Sequence, residues 1–298
     1  MENLREQVKH LIEDRGLSQS DVARAVGVSP TQISLYLKGS YAGNIDALEK
    51  KLKSYLHNLR MKDAEPEMEH KFVLTDTART VINSAELCKI RGGLYVIYGD
   101  AGIGKSAAIR HFVESNPDVI HDEANLSYTT KVFFSKLHKR AGLDGIGALN
   151  KLFDDLVTKL RGSGRMVIID EAEHLPYRAL DLLRSLYDAT DIGLLLVGMP
   201  RLIANLRGNK SQFKQLYSRV DLAIKAEPEK DAEQLETVQK LVNAYMPDSN
   251  GAWKEFAKHT RNVRTLTKLI EQCKRIGQLN DVSIDSDLIA ETAKYLIR

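Results

Sequence analysis

Cysteine is nearly missing from this chain of 298 residues: the two present, Cys88 and Cys273, stand far apart with no C-x-x-C partner. A disulfide framework and a cysteine zinc site are therefore not expected, and both residues read as buried thiols. Long apolar runs are missing as well, since no stretch approaches the ~18 consecutive apolar residues of a membrane-spanning helix. The opening MENLREQVKHLIEDRG is charged throughout and has no apolar core of a secretory signal. A cytoplasmic protein is expected. Nor is there an excess of one charge: the formal net charge is only +3, so the balance does not announce a nucleic-acid partner, although basic residues could gather on one face. No internal repeat or low-complexity segment stands out. What remains is an ordinary globular composition, 43% hydrophobic and 28% charged, with enough apolar material for a core. The length exceeds the usual ~100–200 residues of one domain, so two or three are expected.

Residues 1–60 read as short helices. Leu4, Val8, Leu11 and Ile12 recur at helical spacing and Gly16 ends that helix. In LSQSDVARAVGVSPTQISLYLKGS, Ser18 with Asp21 and Ser29 with Gln32 form two capping signatures, and Pro30 occupies a first helical position. Gly27 supplies the turn between them and Val28 can fill the gap, which makes a helix-turn-helix. The proline and acids of 61–71 mark a linker. From 72 to 226 the style becomes α/β, with apolar runs LYVIYG (94–99), MVIID (166–170) and IGLLLVG (192–198) separated by helices that open at Lys105 and near Arg178. Such runs suggest a parallel sheet covered on both faces. AEPEKD then precedes an all-helical segment, 227–298.

The residues Gly99, Asp100, Ala101, Gly102, Ile103, Gly104, Lys105 and Ser106 fill G-x-x-x-x-G-K-[ST] completely, after an expected strand and before an expected helix. The glycines let successive N–H groups turn toward phosphate oxygens, and the helix N-terminus adds partial positive charge. Lys105 is expected on the β and γ phosphates of ATP and the Ser106 hydroxyl on Mg²⁺. Further along stands VIIDEAEHLP, three acids and a histidine behind a branched apolar run. Downstream of a phosphate loop, Asp170 at a strand tip is expected to serve Mg²⁺ and Glu171 to polarise the attacking water. Zinc is not favoured, because His174 lacks an H-E-x-x-H partner and no cysteine is near in sequence. DEAEH looks like a DEAH helicase box with one residue inserted, but such a helicase needs a second α/β nucleotide domain. Glu173 and His174 therefore read as surface or supporting residues.

Taken in order, the leading helix-turn-helix, GDAGIGKS, VIIDEAEHL, ATDIGLLLVGMP, LYSRV and RNVRTLTKLIEQC resemble the AAA+ ATPases. Among these the match is to the family of phage Mu transposition protein B, which selects target DNA for a transposase. The resemblance covers almost the whole chain. It implies an AAA+ P-loop core, a parallel sheet between helices, flanked by an all-α N-terminal domain and a C-terminal helical lid. It also implies an arginine finger at Arg219 of LYSRV, with Arg207 second, acting on the ATP of a neighbouring copy. Arg264, with Arg261 behind it, corresponds to the lid residue that meets the γ phosphate. One position departs from the pattern: a polar side chain is usual near the tip of the strand LLLVGMP, and Gly198-Met199 stand there. Methionine cannot orient water by a normal hydrogen bond, so hydrolysis is expected to be slow, or served by a group such as Thr190 or Asp191.

For DNA, the front of the second helix of the helix-turn-helix offers Thr31 and Gln32, then Ser34 and Tyr36, with Lys38 suited to phosphate. Gln32 is also the capping partner of Ser29. No arginine sits at the front of that helix, so strong sequence selectivity is not expected. Lys131 and Lys151, with neighbouring cations in TTKVFFSKLHKR and NKLFDDLVTKLRGSGR, could track a duplex backbone in a salt-sensitive, largely sequence-independent way. The expected partners are double-stranded DNA, a transposase and further copies of the chain in a helical filament, inside a bacterial host cell. A transcription regulator tuned by ATP and a loader of another protein onto DNA are the alternatives.

Overall fold

A computed structural model describes residues 4–63, 71–207, 217–228, 231–249 and 251–296, with the side chains of 61–63 and of Arg207 outside the described set. The chain forms two compact units, Met1–Glu69 and His70–Arg298.

The first unit is all helical: α1 (Leu4–Asp14), α2 (Gln19–Val26), α3 (Pro30–Lys38) and α4 (Ile45–Asp63). Both capping boxes form. Ser18 Oγ accepts from Asp21 N at 3.1 Å while Asp21 Oδ2 accepts from Ser18 N at 3.0 Å. Ser29 Oγ and Gln32 Oε1 make the same exchange at 3.3 and 2.9 Å. Each cap contributes about 1 kcal/mol to a short helix that propensity alone would not hold. Between α2 and α3, Gly27 takes φ +66°, the left-handed value that favours glycine. Val8, Val22, Ile33, Tyr36 and Leu52 are fully buried together, with Val28 packed against them. The last turn of α4 reaches Asp63, three residues past the expected boundary at 60; most of the expected linker, 64–70, lies outside the described residues.

The second unit opens with α5 (Asp76–Arg91) and carries a five-stranded parallel sheet in the order β2-β3-β4-β1-β5. Its strands are β1 (Leu94–Tyr98), β2 (Ile120–Glu123), β3 (Met166–Asp170), β4 (Gly193–Gly198) and β5 (Leu222–Lys225). Around it lie α6 (Lys105–Glu114), α7 (Thr130–Arg140), α8 (Leu149–Leu160), α9 (Tyr177–Thr190) and α10 (Pro200–Arg207). Alternation along the strands separates two cores. Val96, Val167, Ile169, Leu194 and Leu196 face α7, α8 and α9, while Ile97, Ile168, Leu195 and Val197 face α5 and α6. Both faces of the central strands are thus dry, which is why they read as continuous apolar runs. The edge strands β2, IHDE, and β5, LAIK, are short and partly charged, as edges must be to avoid pairing with another chain.

The remaining helices, α11 (Asp231–Tyr245), α12 (Trp253–His259), α13 (Val263–Asn280) and α14 (Ser286–Lys294), bury Val238, Phe256, Leu266, Leu269, Ile270 and Ile289 among themselves. No helix among the described residues is long and apolar enough to cross a membrane.

Candidate nucleotide-binding site

All five strands run in one direction, so the loops after their C-terminal ends gather on one edge of the sheet, where open α/β sheets bind ligands. Gly99 to Gly104 connect β1 to α6 there. Gly102 and Gly104 take φ +77° and +101°, and a Cβ on Gly102 would lie 2.5 Å from Asn262 Oδ1; glycine is required twice over, for its conformation and for its size. The loop carbonyls are engaged from outside. Lys105 Nζ donates to Gly99 O at 2.7 Å and to Asp100 O at 2.8 Å, Asn262 Nδ2 donates to Ala101 O at 2.7 Å, and Arg264 N donates to Gly102 O at 2.9 Å. The start of α13 therefore latches directly onto the phosphate loop. Asp100 N is taken by Glu227 Oε1 at 2.9 Å.

Lys105 is only 8% exposed. Burial lowers its pKa, opposed by the negative charges of Asp170, Glu173, Glu171 and Asp100. Asp170, at the tip of β3, is buried, and its Oδ1 accepts from Glu171 N at 2.9 Å. One carboxylate and the Ser106 hydroxyl, both lining the same cavity, are hard oxygen donors of the kind Mg²⁺ takes alongside phosphate. Glu171 sits at φ +53°, a left-handed conformation uncommon outside glycine that costs of order 1 kcal/mol or more and recurs at functional sites. Burial raises its pKa, with Glu173 and Asp170 adding to the rise and His174 opposing it; His174 Nδ1 lies 3.4 Å from Glu171 Oε2.

The cavity has a volume of about 810 Å³, within the range of nucleotide-sized ligand sites. It extends from Gly102, Lys105 and Ser106 to the acids, to Arg264 and Lys268 of α13, and past Phe72, Val73 and Thr75 to Leu241 and Tyr245 of α11. Phe72 stacks on His111 at 3.9 Å with an 11° interplanar angle. This apolar and aromatic end went unread in the sequence, because its residues come from three separate segments with no shared motif.

The structure departs from the sequence expectations at Thr190 and Asp191, at Glu173 and at Tyr36. Thr190 and Asp191 do not line the cavity: they precede β4 and so sit at the opposite end of that strand, where Thr190 Oγ1 donates to Leu186 O at 2.6 Å. Glu173 is not a surface residue. It is 4% exposed, lines the cavity, accepts from Met199 N at 3.1 Å through Oε1, and leaves Oε2 buried without a partner among the described residues. Tyr36 cannot reach a base edge, since it is fully buried, with its hydroxyl donating to Glu49 Oε1 at 2.8 Å and the Arg5 guanidinium 5.0 Å over its ring.

Elsewhere, Arg219 is not among the residues lining the cavity of its own chain; its Nε lies 3.4 Å from Asp188 Oδ1. The Arg207 side chain lies outside the described residues. Arg261 is paired with Asp231 at 2.7 Å. Thr31 and Lys38 are exposed on α3, whereas Gln32 is held by its capping bond and by Tyr41 at 3.2 Å. Lys131 on α7 and Lys151 on α8 are exposed, the latter 3.8 Å from Asp155.

Residues 89–206 match the AAA domain family and residues 8–53 a helix-turn-helix family. The fold is shared with the ORC2 protein of Aeropyrum pernix (TM-score 0.57, 14% identity, 77% of this chain and 71% of that one). It is also that of domain III of the replication initiation protein DnaA of Thermotoga maritima (TM-score 0.53, 18% identity, 76% and 95%). Sheet, phosphate loop and lid thus define an AAA+ ATPase with a helix-turn-helix unit ahead of it. Two relatives narrow the class. The Mu-like prophage FluMu DNA transposition protein B of Haemophilus influenzae is 31% identical over 222 residues, 72% of this chain and 76% of the relative. The ATP-dependent target DNA activator B of Escherichia phage Mu is 28% identical over 222 residues, 73% and 71%. The chain belongs to the DNA transposition protein B family.

Proposed function

We propose that this AAA+ ATPase binds ATP with Mg²⁺, assembles in that state as a helical filament on double-stranded DNA of largely arbitrary sequence, delivers that DNA to a transposase and stimulates it, and leaves when it hydrolyses ATP. The observation that carries the reading is the cavity in which phosphate loop, strand-tip acids and lid meet, together with the name of the phage Mu relative, an ATP-dependent target DNA activator.

In this reading the backbone of Gly99 to Ser106 cradles the phosphates, Lys105 exchanges its loop carbonyls for β and γ oxygens, and Arg264 reaches the γ phosphate. Ser106 and Asp170 would hold Mg²⁺, which would supply positive charge against that developing on the phosphates. Glu171 takes the proton of the attacking water. Arg219 leaves Asp188 to serve the nucleotide of the next copy, which ties hydrolysis to assembly. Met199 at the tip of β4 supplies no side-chain hydrogen bond, in keeping with slow turnover. Thr31, Gln32 and Lys38, with Lys131 and Lys151, meet the duplex mainly at its backbone.

Electron microscopy with an unrelated duplex, comparing ATP, ADP and Lys105→Ala, tests this. Extended coverage with ATP alone is expected. Binding that ignores the nucleotide sinks the proposal, and discrete dimers at one or two half-sites point instead to an operator-binding regulator.

A further inference from the structure

Met199 occupies the tip of β4, but its backbone N–H is held by Glu173 Oε1 at 3.1 Å. The other oxygen of that carboxylate is buried and has no hydrogen-bond partner among the described residues. A buried carboxylate oxygen without a donor is costly, and in a residue 4% exposed that lines a ligand cavity it points to a donor that arrives with the ligand. The neighbour is Glu171: one oxygen of each carboxylate lies within 4.8 Å of the other. A water molecule giving one hydrogen to each of two oxygens, at about 2.7–2.8 Å apiece, spans roughly 4–5 Å. Carboxylates this close can share one water. The position is kept open by Gly198, where a Cβ would overlap Glu173 Oε2.

We propose that Glu173 is a second catalytic carboxylate for ATP hydrolysis, which holds the attacking water together with Glu171 and stands in for the polar side chain that β4 lacks. This rests on the reading of the cavity as an ATP-hydrolysing site with Glu171 as base. The water gives one hydrogen to each acid, which fixes its rotation and leaves an oxygen lone pair for phosphorus. As the water oxygen bonds to the γ phosphorus, the bond from that phosphorus to the β–γ bridging oxygen breaks and its electron pair leaves with ADP. The proton shared with Glu171 passes to Glu171, while the hydrogen on Glu173 stays with the product phosphate.

A merely structural Glu173, needed only to accept from Met199 N, would be replaced without loss by glutamine, which keeps that acceptor but puts a donor where Oε2 was. In the full-length protein with DNA, Glu173→Gln is expected to lower kcat by about tenfold or more, with the Kd for a fluorescent ATP analogue within twofold of wild type. Gly198→Ala, which displaces the carboxylate without altering it, should lower kcat comparably in the wild-type background and cause no further loss on top of Glu173→Ala. Thermal melting checks that each variant is folded. A Glu173→Gln enzyme turning over within twofold of wild type, while Glu171→Gln is slow, overturns this inference alone. Wild-type turnover by Glu171→Gln overturns the underlying assignment of the base, and this inference with it.

Discussion

Asn262 joins two parts of the molecule with one side chain. Its Oδ1 accepts from Thr265 N at 3.2 Å, capping α13, and its Nδ2 donates to Ala101 O at 2.7 Å, fastening α13 to the phosphate loop. Asn262→Ala removes both bonds. Loss of an N-cap costs about 1 kcal/mol, and loss of a bond whose remaining carbonyl can turn to water costs about 0.5–1 kcal/mol, so the sum is about 1.5–2 kcal/mol. Asn262→Ser keeps a capping oxygen but is too short to reach Ala101, and should lose only the second part. The chain provides its own reporter, because its single tryptophan, Trp253, begins α12 in the lid. Followed by Trp253 fluorescence in urea, and with a slope of about 2–3 kcal/mol/M, Asn262→Ala should lower the midpoint by about 0.5–1 M and Asn262→Ser by about half of that. An alanine variant indistinguishable from wild type would refute the latch. A serine variant as damaged as alanine would show that the cap contributes nothing.

Lys105→Ala should weaken ATP binding by about 10- to 100-fold, the worth of a charge-assisted contact to phosphate; nucleotide titration of a folded variant with wild-type affinity would contradict its placement. Among the described residues Arg219→Ala breaks a half-exposed ion pair, so stability should change by less than about 1 kcal/mol, while DNA-dependent turnover should fall by about 10³-fold if it acts across copies; unchanged turnover in phosphate-release assays counts against that role. Burial pushes the Cys88 thiol up to about 12, and Cys273 is also raised, so neither should react with a thiol reagent at pH 8 until the protein unfolds. The unfolded Cys88 deprotonates near its ordinary value of 9.0 and the folded one does not. Its contribution is therefore full below about pH 9 and is lost as pH climbs toward 12, which an alkaline series of urea midpoints would show.

The parts of this molecule legible in its sequence are those in which local chemistry and tertiary role coincide. The phosphate loop, both capping boxes and the three central strands are of this kind. The edge strands β2 and β5 are only four residues long and make no long apolar run: β2 is polar after Ile120, with Asp122 buried, and β5 is Leu222-Ala223-Ile224 closed by Lys225. The burial of Tyr36 is legible: with Ile33 and Leu37 it falls at spacings of three and one on the apolar face of α3, and only its place on the second helix of the helix-turn-helix suggests a DNA contact. Glu173 was harder. Its inward direction depends on the left-handed turn at Glu171 and the single 3₁₀ turn Ala172–His174 that follows, neither of which has a residue signature. Gly198, at the end of an otherwise bulky strand, was the one hint that something large approaches the backbone there.

The carbonyls of Gly99, Asp100, Ala101 and Gly102 each accept a hydrogen bond, the first two from Lys105 and the others from Asn262 and Arg264. A peptide group has two opposed poles, so anchoring its oxygen also restrains its hydrogen. Rotating one of these units to present oxygen to an incoming phosphate would first require breaking the bond that anchors it. The direction of these peptide dipoles is thus set before any nucleotide arrives, and once Lys105 turns to the phosphates the anchoring that remains is the half that belongs to the lid. A change that loosens α13 would reach the phosphates as a partial loss of polarity, with every residue of the loop motif still in place.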